Sequence, residues 1–524
     1  MVTRTSARLK NLQTSASTAA SAGQQDLHKN AAAIWRDLLY LALLTLLALA
    51  VQGYHLGTED QAIYLPAIKK ILHPALYPHD AEFFLVQTRP TLFPQLIALS
   101  QRASHLPLEV VIFLWQIASI FLVLWACLLL ARKCFPLPSA QWAAVTLVAV
   151  LLTLPVAGTA LFLVDPYLHP RTLATAALLF MLADVLDRRP TRALLWLIPA
   201  ATMHIQMSFY GALLALFLLI PEPWLSWFPL LPKTEPQRAG ALLFPLSALF
   251  QPASPAWKEA ARTRWYHYLL RWPWSAWIGI FAPLALLYWF NKIGGRKQMD
   301  LFANLCRRLL LFGIFIFAVS AVLTMPPALE RFTPYQPMRG FHLLYILLIL
   351  FIGGLVGEFM LRRSFARWLA LFLPLCLLMF YVQRQTLPAS PHIELPGVAS
   401  QNAWLRAFDW IRQSAPANAY FVLDPYYTQR PGEDVHGFRA FAERSMMADY
   451  VKDSGVALLF PSIAGRWQRE VHARDGWLNF TAADFHRLHT EFGVDWAVVE
   501  NSQPVAKDLS CPYANDLVQV CRIP

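Results

Sequence analysis

Long apolar runs separated by short polar stretches dominate the first 384 positions of this chain. Crossing roughly 30 Å of hydrocarbon takes about 20 helical residues. Runs near that length fall at 33–52, 108–131, 140–160, 170–186, 193–220, 276–291, 303–324, 342–361 and 367–384, so the pattern predicts nine spans. The run at 193–220 reads as one long span; the alternative is a re-entrant hairpin around ATMHIQMSFYG. From Leu387 the pattern shortens. WLRAFDWIRQ reads as an amphipathic helix, AYFVLD as a buried strand, and GFRAFAERSMMADYVKDSG as a helix ending at Gly455. VALLF, VDWAVVE and LVQVCRI read as strands and TAADFHRLHTEFG as a helix, an alternation that favours a small α/β domain with a mostly parallel sheet. The fold class is mainly α: a polytopic transmembrane helical domain over 33–386, then an α/β domain over 387–524. No glycine-rich phosphate loop accompanies the strands, which removes the sequence case for a nucleotide site there.

Composition agrees with the pattern. The 524 residues are 57% hydrophobic and 15% charged, against about 25% charged in soluble domains. The net charge of +12 is read by position, because Lys and Arg mark the cytoplasmic loops of membrane proteins; it is no argument for nucleic acid. Residues 1–32, rich in Ser, Ala, Thr and Gln, read as a disordered cytoplasmic tail. The apolar run behind them is too long and too far from the start for a cleaved signal. With nine spans, the clusters at Arg4 to Lys29, Arg132 and Lys133, Arg188 to Arg192, Lys292 to Arg308, and Arg362 to Arg367 fall on one side, the cytoplasm. The loops 53–107 and 221–275 and everything after 386 then face outward. One connection disobeys: Pro221 to Trp274 carries Lys233, Arg238, Lys258, Arg262, Arg264 and Arg271 on the outer side. We favour bases retained there to meet an anion over the hairpin that would invert the neighbouring topology. The outward placement of Cys511 and Cys521 permits a disulfide between them, the alternative being two unrelated buried thiols.

Ionisable groups at membrane depth are functional candidates by default. Glu59 and Asp60 adjoin the end of the first span, and Asp80 and Glu82 follow at the end of QAIYLPAIKKILHPALYPH, whose Tyr64, Ile68, Ile71 and Leu72 recur at helical spacing opposite Lys69 and Lys70. That pattern suits a helix lying on the membrane surface. Arg89, then Asp165, His169 and Arg171, then His204, then Arg331, Arg339 and His342 complete a set of acids and bases from separate loops. The combination suits group transfer from a phosphate, in which a carboxylate deprotonates an acceptor while Arg and His neutralise the phosphate leaving group. Each has a plainer role beside it. Asp60 and Asp80 are good helix N-caps, His204 suits helix packing, Arg331 and Arg339 suit an exposed rim, and the Trp-rich stretch around Trp272, Trp274 and Trp277 suits an interfacial belt.

The acidic pair TED at 58–60 directly after the first span, a helix in a long first outer loop, many spans and an outward C-terminal domain resemble the GT-C superfamily of polytopic membrane glycosyltransferases. The resemblance implies an inverting transfer of a sugar from a polyprenyl phosphate to a glycan, lipid or protein acceptor at the outer face of a bacterial inner membrane. It implies that Asp60 or Glu59 is the catalytic carboxylate, and that Arg331 and Arg339 stand where such enzymes hold the lipid phosphate. The C-terminal domain has no WWD-type triplet as in oligosaccharyltransferases, the nearest being FDW at 408–410, and HPRT at 169–172 matches no motif. A divalent metal between phosphate and acidic pair is compatible with the arrangement, although nothing in the spacing demands one. Two other classes stay open: a transporter or flippase of an anionic lipid-linked substrate, which calls for polar residues inside the spans and internal repeats, and a non-catalytic envelope scaffold, which needs no rim of acids and bases.

Overall fold

The computed structural model describes residues 32–221, 253–430 and 436–524. Among the described residues, six helices are long and apolar enough to cross a bilayer, which makes this a membrane protein by length and composition. In chain order the described helices of the N-terminal part are α1 (Ala32–Gln52), α2 (Gln61–Leu72), α3 (Glu82–Thr88), α4 (Phe93–Ser104), α5 (Leu108–Cys134), α6 (Pro138–Val150) and α7 (Pro170–Leu186). They continue as α8 (Pro190–Met203), α9 (Ile205–Leu219), α10 (Pro255–Arg262), α11 (Trp274–Arg296), α12 (Asp300–Thr324), α13 (Phe341–Val356) and α14 (Phe365–Thr386). A tight helical turn over Pro327–Tyr335 and another over Pro337–Gly340 lead into α13.

The nine-span reading is not reproduced. The run at 140–160 is only the 13 residues of α6 followed by turns, and α7 has 17 residues. The run at 193–220 is broken at His204, whose extended backbone (φ −153°, ψ 95°) separates α8 from α9. The chain doubles back there. Close to α7's start, the His204 ring lies 6.1 Å from that of His169. At the far end of α9, Arg308, in the early part of α12, donates from Nη1 to the carbonyls of Phe217 and Ile220. The hairpin therefore replaces the single long span. Its return also brings the start of the anomalous 221–275 connection to the end of the bundle that carries the basic residues. Arg132 with Asp37, and Lys133 with Asp187, tie that same end together. Most of residues 1–32 and of that connection, including Lys233 and Arg238, lie outside the described residues.

The C-terminal part is a five-stranded sheet with helices on it. Its elements are α15 (Ala403–Ser414), β1 (Tyr420–Val422), α16 (Phe438–Ala442), β2 (Ser445–Met446), α17 (Lys452–Leu459) and α18 (Ala464–His472). α19 (Ala482–Phe492), β3 (Trp496–Glu500), β4 (Ser510–Ala514) and β5 (Val518–Arg522) complete it. The order is β2-β1-β3-β5-β4. Pairing is parallel in β2–β1 and β1–β3 and antiparallel in β3–β5 and β5–β4, so the sheet is mixed rather than mostly parallel. VALLF belongs to α17 and to the turn after it, not to a strand, and the long helix expected to end at Gly455 is α16, β2 and the start of α17. Val456, Ala457 and Leu458 are buried against α10 and α18, so a short apolar run that reads equally as strand is held helical by tertiary packing. Cys511 and Cys521 are joined in a disulfide across β4 and β5.

The two parts are pinned together. α2, expected on the membrane surface, is instead covered on most sides: its buried residues include Ile63, Tyr64, Leu65, Ile68 and even Lys69. Lys69 Nζ donates 2.8 Å to the Ala440 carbonyl and 2.6 Å to Glu443. Asp80 caps no helix; wholly buried, it pairs with Arg439 of α16, which also holds Asp453 at 2.9 Å. Glu394, on the linker behind α14, accepts from His436 at 2.9 Å, from His55 at 3.3 Å and from the Leu56 amide at 3.0 Å.

Candidate functional site

The acidic pair is aimed by the turn that leaves α1. Gly57 there has φ +71°, and its amide donates 2.6 Å to Gln61 Oε1. A Cβ on Gly57 would meet the Phe441 ring at 2.3 Å. Glu59 is itself left-handed (φ 48°), a conformation that L residues adopt at a cost of about 1–2 kcal/mol. It turns Asp60 away from capping: although Asp60 precedes α2, its side chain makes no cap hydrogen bond. Instead Asp60 Oδ2 lies 3.4 Å from His169 Nε2, and Oδ1 lies 3.7 Å from Nζ of Lys452, the first residue of α17. Lys452 also pairs with Glu59.

His169 is oriented from behind. At the N-cap of α7, its Nδ1 accepts the Arg171 amide at 3.0 Å, which leaves the proton of the neutral ring on Nε2, facing Asp60. Gln61 donates 3.0 Å to the adjoining Leu168 carbonyl and locks this loop to α2. Burial pushes the Asp60 carboxyl up, but hydrogen bonding from His169 and the charges of Lys452 and Arg171 hold it well below the usual carboxylate range. Burial, then the Arg171 charge, push His169 down, so the contact joins a neutral imidazole to a carboxylate. Lys452 goes up: burial opposes its charge, and Glu59 and Asp60 more than restore it.

These groups line a cavity of about 1190 Å³. Asp60, 38% exposed at its side chain, opens onto it. Arg171, His204, Arg264, His267 and Arg339 contribute cationic or imidazole groups, and Phe209, Leu213, Phe315 and Val319 form an apolar wall on α9 and α12. Phe209 is 63% and Phe315 39% exposed, so that wall merges with the outer surface of the bundle. Strain collects at the same place: Glu59, Ala157, Ala160 and Gln336 are left-handed non-glycine residues, and all four line the cavity. Arg339 is held by α9, where Gln206 Oε1 accepts from its Nη1 at 3.0 Å and Gln206 Nε2 donates 2.6 Å to the Tyr335 carbonyl. Arg264 donates to the Val451 carbonyl beside Gly455, which closes the cavity roof against α17.

Of the residues proposed from sequence, Glu59, Asp60, Asp165, His169, Arg171, His204 and Arg339 line the cavity. Asp165 is occupied: both its oxygens accept from Arg171 Nη2, at 2.8 and 2.7 Å, in a fully buried pair. Arg89 is exposed at the end of α3, and neither it nor Arg331 lines the cavity. His342 is buried inside α13 and bonds the Leu163 carbonyl at 2.9 Å, a packing role. Glu82 is a surface partner of Arg466. Sequence reasoning missed Lys452 and His267, and it counted Arg264 among the bases kept outside to meet an anion without naming it a site residue. Arg264 carried a signal, as one of the bases placed where the charge rule forbade them; Lys452 carried none, since it reaches the acidic pair from 392 positions downstream. Trp272 is buried behind Gly158 of the cavity wall rather than in an interfacial belt, whereas Trp274 is 77% exposed.

Among the described residues no group of three His, Cys, Asp or Glu side chains is arranged to hold a metal. No protein-family model matches the chain, and no curated protein matches it.

Proposed function

We propose that this protein is a membrane-embedded glycosyltransferase that moves a sugar from a polyprenyl phosphate to an acceptor hydroxyl, with inversion. The observation that carries the reading is the cavity. It brings an ionised carboxylate, Asp60, together with Arg264 and Arg339, and continues into an apolar wall open along α9 and α12. A lipid phosphate with its chain along that wall and its sugar beside Asp60 matches both halves. The disulfide-bearing domain that roofs the cavity supports placing the site on the extracytoplasmic side, with the basic helix ends in the cytoplasm.

In the reaction the acceptor oxygen bonds the anomeric carbon as the bond from that carbon to the phosphate oxygen breaks. The bonding pair leaves with the phosphate, and the acceptor proton passes to Asp60. Asp60 is a weak base because Lys452 and His169 stabilise its charge. That suffices where the attacked centre is oxocarbenium-like, since the acceptor hydroxyl becomes strongly acidic as the bond forms. Double displacement calls for a carboxylate nucleophile besides the base. Asp165 is consumed by Arg171 and Glu59 is paired with Lys452, which favours single displacement. The arginines stabilise the departing phosphate, as preorganised charge does in a site shielded from water.

The test is reconstitution of the full chain in liposomes with a panel of radiolabelled polyprenyl-phosphate sugars and lipid extract as acceptor. The reading requires release of polyprenyl phosphate and a labelled product from at least one donor. The helix break at His204 is a feature that transporters of lipid-linked substrates share. Movement of an intact donor across the bilayer without cleavage would establish that second reading instead.

A further inference from the structure

Beside the cavity lies a side chamber of about 10 Å³, room for a single hydroxyl-sized group, which shares His267, Gln336 and Arg339 with the cavity wall. Thr159, Ser320 and Trp272 also line it. His267 Nδ1, Gln336 Oε1 and Arg339 Nε are all shielded from water, and among the described residues none of them has a hydrogen-bond partner. His267 is 6% exposed. Gln336 sits in a left-handed turn (φ 46°) between the two tight helical turns, a strained backbone that brings its amide to this wall. Trp272 is fixed by donating 2.9 Å to the Tyr266 carbonyl and lies so close to Gly158 that a Cβ there would come within 2.5 Å of its ring.

The three polar atoms define what fits. Gln336 Oε1 only accepts, Arg339 Nε only donates, and His267 Nδ1 does either according to its tautomer. A hydroxyl satisfies this set, giving its proton to Gln336 and accepting from Arg339. A phosphate or carboxylate oxygen would meet Arg339 but face the Gln336 oxygen, and a methyl group would leave all three unpaired. The chamber is too small for a pyranose ring, so the hydroxyl has to project from one, as a hydroxymethyl substituent does. Resting on the glycosyl-transfer reading above, we propose that this chamber is a specificity subsite for the hydroxymethyl group of a hexose donor, discriminating against 6-deoxyhexoses and pentoses.

The experiment uses the full chain in nanodiscs. The probes are farnesyl phosphate alone and farnesyl phosphate carrying glucose, mannose or galactose, each beside its 6-deoxy counterpart. Wild type binds at least one hexose about tenfold or more tighter than its 6-deoxy partner, because a site built to hydrogen-bond a hydroxyl rejects the analogue that lacks it. Gln336→Met and His267→Phe each abolish that preference, and Gln336→Met still binds farnesyl phosphate alone as wild type does. Equal binding of each hexose and its 6-deoxy partner by wild type overturns the subsite, as does a preference that both variants keep, which would mean a trapped water only. Failure of wild type to bind farnesyl phosphate or any glycosylated form overturns the subsite and the underlying reading together.

Discussion

The substitution of Asp80 by Ala is the sharpest structural test, because Asp80 and its neighbour Glu82 read alike in sequence and differ completely in the fold. Asp80 is 0% exposed and pairs with Arg439, itself 6% exposed, while also accepting the Met446 amide at 3.0 Å. Removing it leaves Arg439 with Asp453 alone and an amide with no acceptor; breaking a buried pair from one side costs about 3–5 kcal/mol. Glu82 pairs with Arg466 at side-chain exposures of 44% and 30%. Such a surface pair contributes about 0–1 kcal/mol, so Glu82→Ala is nearly silent. The buried thiols of Cys127, Cys134 and Cys306 supply the readout, a thiol-reactive dye that reports unfolding of the solubilised full chain on heating. Asp80→Ala is expected to unfold at markedly lower temperature than wild type and Glu82→Ala close to it. Equal losses in the two variants would refute the claim that a buried ion triad pins the first outer loop to the C-terminal domain.

Three further outcomes follow. Glu394, pushed up by burial but pulled from 4.5 down to about 2 chiefly by His436 and His55, contributes stability that is full above pH 4.5 and lost as pH falls toward 2, roughly 3 kcal/mol in all. Hydrogen exchange in residues 389–400 should rise over that window in wild type, and a Glu394→Gln variant with the same acid profile would remove Glu394 from the explanation. Lys452→Met deletes a positive charge that holds Asp60 down, so the Asp60 carboxyl should titrate at higher pH; difference infrared spectroscopy against Asp60→Asn isolates that band, and an unmoved midpoint would contradict the assigned contact. Gly57→Ala combines a φ of +71° with a Cβ 2.3 Å from Phe441, and should cost more than about 1 kcal/mol in thermal unfolding of the full chain; an unchanged transition would show that the turn tolerates a side chain.

The legible parts of this molecule are those written in local pattern. The run at 108–131 and the strand VDWAVVE follow from periodicity, and TAADFHRLHTEFG announces itself by its Thr481 and Asp484 capping box and by Gly493 at its end. The acidic pair was legible from its place behind α1. What stayed hidden depends on contacts between distant segments. Lys69 and Lys70 look like a solvated face until Ala440 and Glu443 bury the first of them. A single extended residue at His204 reverses the chain inside an otherwise uninterrupted apolar run, and hydropathy does not register one backbone angle. His342 is a residue type that sites use, yet it is buried at the start of α13 with its Nε2 on the Leu163 carbonyl, and a packing imidazole looks the same in sequence as a ligand.

The central claim is that Asp60 accepts the acceptor proton in sugar transfer from a polyprenyl phosphate. The measurement that meets it most directly is the rate of polyprenyl phosphate release in proteoliposomes by wild type and by Asp60→Asn, with the unfolding temperature of both recorded. The account predicts a fall of about 10²–10⁴-fold in the variant, the range typical of a lost general base, at unchanged stability. A variant that folds as wild type does and releases the lipid phosphate at the same rate would contradict it.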